Sequence, residues 1–522
     1  MSGNLRGARG TGAECAGTLG ALLRRQSCER GDVTAFVCAE RRTSYAELDA
    51  RTDRVAAALA RDGIGPGDRI AFLGRDSEHA YEVVLGAAKL GAVTLGVNWR
   101  LAPPEIEFVL RDAGAKLLLA DDEFAGRAAG AEVRTLSTER EYAGWRDAAN
   151  PAAPRVDATE DDVVVQMYTS GTTGRPKGVM LAHRSFFAVM RALRRAGDPW
   201  VGWSGDDVSL LVIPSFHIGG LWWAMTGLVA GATNVVLPAF DARATVAAIE
   251  RHRVTKVCLV PAMIRMVLSE PSLATADVSS LGCVVYGGSP IPRTTLVEAQ
   301  ERLRCDFAQI YGLTETGNTA VCLRPEEHAD PESELLLAAG RPYPEVEVKI
   351  VDDDGATLPP RAVGEIWIRS PANMTGYWNR PEATAETLRD GWVVTGDAGY
   401  LDETGHVYVC DRKKDMILYA GENVYPAEIE AVLVAHDGVA EAAVIGVPDE
   451  RWGELVKALV VLEPGARPTK RELLAHCREG LADFKVPKSI DFVDTLPRTP
   501  SGKLKKAELR APYWEGRERK VN

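Results

Sequence analysis

The nine cysteines contain no C-x-x-C pair and the eight histidines no H-E-x-x-H. The first absence excludes a zinc ribbon or a thioredoxin-type redox centre, and the second a zincin metal site. An odd, scattered set of thiols in a long chain points to reduced, mostly buried cysteines and a cytoplasmic protein. No stretch reaches the ~18 apolar residues of a membrane span. The most apolar one, AYEVVLGAAKLGAVTLGVNW, is interrupted by Glu82 and Lys89. The opening MSGNLRGARGTGAEC lacks the apolar core of a signal peptide, and residues 1–16 read as a disordered tail. Basic residues are also in deficit: 61 Lys and Arg stand against 73 Asp and Glu, for a net charge of -12. That balance argues against a nucleic-acid partner, which requires clustered cations. No internal repeat of the solenoid kind is present.

What is present is the composition of an ordinary globular chain, 46% hydrophobic and 26% charged. At 522 residues it exceeds a single core, so two or more domains are expected. SYAELDARTDRVAAALARDG starts at Ser44, has Glu47 three residues on and stops at Gly63, which is a capping box, an amphipathic helix and a glycine stop. DRIAFLG, AVTLGV and KLLLAD read as strands, and EHAYEVVLGAAKLG and PPEIEFVLRDAG as helices between them. This alternation predicts a parallel sheet covered by helices. The polar, proline-bearing run EVRTLSTEREYAGWRDAANPAAPRVDATEDD reads as a surface connection. VSLLVIP, TNVVLP, KVCLVP and GCVVYGG are apolar strands ending in Pro or Gly, so they deliver chain to one rim of a sheet, where open α/β sheets bind ligands.

From Glu345 the pattern turns to period two in EVEVKIVD, GEIWIRS and VYVCDR, predicting an antiparallel β unit. Beyond it, YPAEIEAVLVAH and TKRELLAHCREGL read as helices and VAEAAVIGV and VKALVVLEP as strands. The expected fold is therefore α/β. A large domain of parallel sheets plus a β unit spans 17–411, and a small α+β domain spans 412–522, with YWEGRERKVN as a frayed tail.

One loop carries most of the chemistry. YTSGTTGRPKGV, Tyr168 to Val179, follows the apolar run DVVVQM and holds three glycines, four Ser or Thr hydroxyls and one lysine. A buried strand ending in such a turn exposes backbone N–H groups in a concavity suited to an anion. The spacing is neither the Walker A pattern nor the Rossmann G-x-G-x-x-G.

The loop is the first of seven motifs in fixed order: SGTTGRPKGV, YGGSP (286–290), QIYGLTE (309–315), TGDAGYLDETG (395–405), DRKKD (411–415), GENVYPAEIE (421–430) and TPSGKLKK (499–506). Together they resemble the adenylate-forming superfamily of acyl-CoA synthetases, luciferases and peptide-synthetase adenylation domains, from Tyr45 to Lys506. The resemblance implies a two-step reaction using ATP, Mg²⁺ and a thiol. A carboxylate attacks the α-phosphorus of ATP, and the thiol then displaces AMP. It implies that Thr169, Ser170, Gly171, Thr172, Thr173 and Gly174, with Lys177, hold the β- and γ-phosphates. Gly288, Ser289 and Pro290 would offer backbone to adenine, and Tyr311 would stack on the purine. Thr314 would bind the α-phosphate and Glu315 would ligate Mg²⁺. Asp397 and Arg412 would hold the ribose. Lys503 would bridge the incoming carboxylate and the α-phosphate. Lys414 would be the hinge of a small-domain rotation, and Gly421 would line the cofactor path.

The acid pocket is implied in IPSFHIGGLWW: His217, Gly219, Gly220 and Trp222, with Tyr286 and Gly312 beside them. His217 either gates the pocket or is structural, and the tryptophans either limit acid size or belong to the core. Amino-acid-activating relatives place aspartate after this phenylalanine. Here the residue is His217, so a small-molecule non-amino carboxylic acid is expected. Many acyl-CoA synthetases read S-G-G-E-N where this chain reads YAGEN, and Ala420 adds a Cβ on the thiol path. Coenzyme A is the expected acceptor, and the phosphopantetheine of an acyl carrier protein is the alternative. A monomer or homodimer is expected.

Overall fold

The computed structural model of the chain describes residues 17–150, 156–169, 176–289, 291–412, 415–419, 422–449, 453–481, 483, 485–498 and 504–515. Their fold is α/β, built on four sheets. The largest has nine strands, and its centre is parallel. Thr233–Val236, Val208–Leu211, Lys256–Leu259, Cys283–Gly287 and Asp306–Tyr311 run side by side in one direction. Their C-terminal ends therefore share one rim, as the Pro and Gly endings predict. A seven-stranded sheet holds Arg69–Leu73 between Val93–Gly96 and Ala115–Ala120, all parallel. The largest apolar cluster draws on strands of both sheets, with Leu85, Val165, Phe187, Trp223 and Val285 among its members.

Helix boundaries follow the local signals. Tyr45–Arg61 begins with a complete capping box between Ser44 and Glu47. Glu78–Leu90 and Pro103–Ala113 each stop at a left-handed glycine, Gly91 and Gly114. The period-two segments pair antiparallel, Glu347–Val351 with Gly364–Arg369 and Trp392–Leu401 with Val407–Arg412. A fourth sheet, of strands within residues 417–492, encloses its own core of Ile429, Leu433, Val444, Val456 and Leu473. The eight described cysteines are free thiols, and burial pushes Cys258 up to about 12.

Two expectations are corrected. The polar run after residue 131 contains an added parallel strand, Arg134–Ser137, and a helix, Tyr142–Asp147. The reason is Glu82, fully buried on Glu78–Leu90. Arg146 and Tyr142 reach its carboxylate at 2.8 and 2.9 Å, and Arg51 adds a third contact at 3.2 Å. Burial alone would raise this carboxyl, but His79 and Arg146 hold it at about 2. A buried charge without such partners would be costly, so the polar run is docked rather than left on the surface. The first two residues of the expected tail, Tyr513 and Trp514, instead close a helix, Lys506–Trp514, and the Trp514 indole donates to the Gly446 carbonyl at 2.9 Å; residues 516–522 lie outside the described residues.

Candidate active site

The site is assembled on the rim of the nine-stranded sheet, where Asp306–Tyr311 ends. The chain turns at Gly312 and returns as Val321–Leu323. A Cβ at Gly312 would stand 2.2 Å from the Asn318 carbonyl oxygen, so only glycine lets the two limbs close. Inside the turn, the Leu313 N–H donates to Thr316 Oγ1 at 2.8 Å and the Asn318 N–H to the Leu313 carbonyl at 3.0 Å. Thr314 and Glu315 thus sit on a short 3₁₀ turn with little freedom.

Glu315 is held from the other sheet. The Tyr377 hydroxyl donates to its Oε1 at 2.8 Å, and its carbonyl accepts the Met374 N–H at 2.8 Å. Burial and the adjacent Glu315 carboxylate raise the Tyr377 phenol above its ordinary pKa, so it stays a donor. Gly376–Tyr377 pairs antiparallel with Lys177–Ala182, and Lys177 Nζ lies 5.0 Å from the Tyr377 ring centroid. One aromatic ring therefore touches both the lysine of the glycine-rich loop and the carboxylate across the cleft. Thr169 and Lys177 face each other at the base of the hairpin formed by Val163–Thr169 and Lys177–Ala182. Ser170, Gly171, Thr172, Thr173 and Gly174, between them, lie outside the described residues.

Asp397 is 4% exposed and accepts the Tyr311 hydroxyl on Oδ2 at 2.7 Å. Its backbone is in register with Arg412 on the neighbouring strand. Gly288 and Ser289 are exposed just past Cys283–Gly287, Gly288 at φ 84°. Tyr286 does not line the cleft. Its ring is buried against Phe307, and its hydroxyl is 3.0 Å from His328 Nε2. Strand alternation turns its side chain to the core face. Pro290, Lys414, Gly421 and Lys503 lie outside the described residues.

In the segment expected to line the acid pocket, His217 occupies the N-cap position of the helix Ile218–Ala230 without a side-chain cap bond, with its ring 4.5 Å from that of Phe216. A Cβ at Gly220 would fall 2.2 Å from the Ile213 carbonyl oxygen, so the helix start and the 213–217 loop are in backbone contact. Gly219 is different: among described atoms a Cβ there would meet only Asn318 Oδ1 at 3.6 Å and Ile213 methyls at 4.0 Å. Trp222 and Trp223 are core residues, 3% and 1% exposed. A cavity of about 20 Å³, bounded by Phe72, Thr94, Gly96, Met167, Phe216 and Leu221, is large enough for one water molecule.

Sequence reasoning missed three residues. Tyr377 holds Glu315. Asp76, 5% exposed, accepts from the Ser215 N–H and from its hydroxyl, the latter at 2.5 Å, and so fixes the loop that carries His217. Burial pushes the Asp76 carboxyl up to about 7. Asn318 faces Gly219. None of the three stands in a recognisable motif, and each acts over a distance that only the fold reveals.

Among the described residues no group of three or more His, Cys, Asp or Glu is placed to hold a metal ion. A single carboxylate such as Glu315 nevertheless fits Mg²⁺, which binds through one or two carboxylates and takes its other oxygens from phosphate and water.

Residues 23–378 match the model of the AMP-binding enzyme family, and residues 428–503 that of the AMP-binding enzyme C-terminal domain. The chain is 51% identical over 493 residues to the fatty acid–[acyl-carrier-protein] ligase ScoC of Streptomyces coeruleorubidus, covering 94% of this chain and 95% of that one. It is 40% identical over 471 residues to the feruloyl-CoA synthase of an Amycolatopsis species, covering 90% and 94%. Among solved structures it resembles the o-succinylbenzoate CoA synthetase of Bacillus subtilis in complex with its acyl-adenylate intermediate. The TM-score is 0.83 and the identity 33%, with 94% of this chain and 97% of that one covered. This chain belongs to the AMP-binding, adenylate-forming enzymes.

Proposed function

We propose that the chain is an ATP-dependent, AMP-forming acid–thiol ligase acting on a non-amino carboxylic acid. The observation that carries this reading is the convergence, from three sheets, of Lys177, the Tyr377-held Glu315 and the Tyr311–Asp397 pair around the turn that follows Asp306–Tyr311. Joining a carboxylate to a polyphosphate brings two anions together, so the task is shielding and alignment. A carboxylate oxygen of the acid attacks the α-phosphorus, a C–O–P bond forms, and the bond to pyrophosphate breaks. A thiolate then attacks the acyl carbon and AMP leaves.

In this reading, residues 169–174 and Lys177 hold the departing pyrophosphate and Thr314 holds the α-phosphate. Glu315 would hold Mg²⁺, which would supply neutralisation of the phosphate charge. Asp397 and Arg412 take the ribose. Gly288, Ser289 and Pro290 take adenine, with Tyr311 stacked on it. Lys503 bridges the acid and the α-phosphate, and rotation at Lys414 brings the thiol in past Gly421. His217, rather than an aspartate, follows Phe216, which supports a non-amino acid.

For the acceptor, coenzyme A and a carrier-protein phosphopantetheine share the same thiol arm. The carrier protein is favoured by the 51% identity to a fatty acid–[acyl-carrier-protein] ligase, against 40% to a CoA synthase. The test is to incubate the chain with ATP, Mg²⁺ and straight-chain, aromatic and cyclic acids. Coenzyme A or a holo carrier protein is then added and the thioester weighed. Pyrophosphate release followed by an acylated carrier supports the reading; acylation of CoA alone overturns the acceptor assignment. No pyrophosphate with any acid overturns the whole.

A further inference from the structure

The hairpin of Val163–Thr169 and Lys177–Ala182 rests on a bracket that the reaction as described above does not use. Tyr168 is in register with Gly178 on the partner strand. The fit there is close, since a Cβ on Gly178 would stand 2.6 Å from Gln166 Nε2 and 3.2 Å from Tyr168 Cζ. The Tyr168 ring therefore lies against the residue next to Lys177. Its hydroxyl reaches out of the hairpin and donates to Asp112 Oδ2 at 2.6 Å.

Asp112 stands in the last turn of the helix Pro103–Ala113. A carboxylate at that end opposes the helix dipole, which favours a cation there. Compensation comes from another part of the chain. Arg380 donates to Asp112 Oδ1 at 2.6 Å, and the Trp378 indole donates to the Asp112 carbonyl at 3.0 Å. The Trp378 N–H in turn donates to the Gly178 carbonyl at 2.8 Å. Arg69 closes the ring of contacts: its guanidinium lies 3.4 Å from the Trp378 ring centroid and donates to Gln166 Oε1 at 3.2 Å. One helix end thus holds the hairpin through Tyr168 and the segment 376–380 through Arg380 and Trp378. That segment carries Tyr377, which lies against Lys177 and holds Glu315.

We propose that Asp112 is a positioning residue for the triphosphate end of ATP. It touches no substrate. It fixes the hairpin stem and the segment 376–380 to one point, and so sets the separation between Lys177 and Glu315. Without it the two groups no longer face the same phosphates at a fixed distance. The nucleoside half is unaffected, because Tyr311 and Asp397 pair on other elements. The inference rests on the reading of Lys177 and Glu315 as the groups at the phosphate end.

The test uses the full chain as wild type, Asp112→Ala, Tyr168→Phe and the double variant. Alanine is the better helix former and removes an unfavourable charge from the helix end, so the helix itself is not weakened. Phenylalanine keeps the ring against Gly178 and removes only the hydroxyl. Three quantities are measured: the KM for ATP, the inhibition constant of pyrophosphate, and the Kd of AMP, which lacks the β- and γ-phosphates. Each is a concentration at half-saturation, so none depends on how much of a variant is folded. Each single variant should raise the first two about tenfold and leave the Kd of AMP within about twofold. The double variant should be no worse than Asp112→Ala, because both changes break the same bond. Acyl transfer to the thiol from supplied acyl-AMP should be unchanged. Equal weakening of AMP and pyrophosphate would reduce Asp112 to a support of the fold and overturn the assignment. An unchanged pyrophosphate constant in Tyr168→Phe would overturn it too, and either result leaves the ligase reading intact. No pyrophosphate from wild type with any acid of the panel overturns both.

Discussion

The Tyr377 hydroxyl donates to Glu315 Oε1 at 2.8 Å across 62 residues of chain. It joins an edge strand of one sheet to the rim turn of the other and aims the carboxylate into the cleft. Hydrogen bonds to charged groups contribute about 1.5–3 kcal/mol. Tyr377→Phe keeps the ring beside Lys177 and removes only this bond. It should lower kcat/KM by about tenfold and raise the Mg²⁺ concentration needed for half-maximal rate. Pyrophosphate release titrated against Mg²⁺ checks this, and an unchanged Mg²⁺ dependence contradicts the role given to Tyr377.

The Tyr311–Asp397 bond makes a second prediction, about nucleotide affinity. Tyr311→Phe keeps the face of the ring and loses the tether to Asp397, so the KM for ATP should rise only a few-fold. Tyr311→Ala loses the face as well, and base stacking is worth about 1–3 kcal/mol, so its KM should rise ten- to a hundredfold. Asp397→Ala should match the larger effect. Equal KM values for the phenylalanine and alanine variants would contradict stacking.

Adjacent glycines in the acid wall should respond differently. Gly220→Ala forces a Cβ into the Ile213 carbonyl. It should destabilise the fold by about 2 kcal/mol or more, read as a lowered Tm. Gly219→Ala meets nothing closer than 3.6 Å among described atoms, so it should fold normally and discriminate against bulkier acids. A normal Tm for Gly220→Ala contradicts the contact.

Asp76 makes the fold sensitive to pH. Its carboxyl is raised by burial to about 7, with Ser215 and Arg100 opposing the rise and Asp121 adding to it. A raised acid favours the protonated form in the folded state. Its stabilising contribution is therefore complete below the ordinary carboxylate range and is lost as pH climbs through about 7. At about 1.4 kcal/mol per unit, Asp76→Asn should gain roughly 3 kcal/mol relative to wild type between pH 5 and pH 7.5. Paired Tm measurements at each pH cancel every other titrating group. A constant difference between the two proteins would contradict the buried carboxyl.

The parts of this molecule legible in the sequence are those in which one short segment decides the outcome. The Ser44–Glu47 capping box, the alternating apolar strands and the rim glycines all act within a few residues of themselves. Motif position does not say which face of a strand a side chain takes, and Tyr286 takes the core face against His328. The helix Tyr142–Asp147 was hidden because its cause, the buried Glu82, lies 60 residues away. Tyr377, Asp76 and Asn318 were invisible for the same reason. Asp76 and Ser215 meet across 139 residues, and no local pattern marks either. The resemblance supplied the roles of Lys503, Lys414 and the loop 170–174, which stand as proposals.

The central claim is that this chain makes an acyl-adenylate. Its most direct test is single-turnover mass spectrometry of wild type and Lys503→Ala with ATP, Mg²⁺ and an acid accepted in the panel. Wild type should yield acyl-AMP and pyrophosphate in equal amounts without any thiol present. Lys503→Ala should make neither, yet still transfer the acyl group to the thiol from supplied acyl-AMP. Release of ADP and phosphate, or of pyrophosphate without acyl-AMP, would contradict the account.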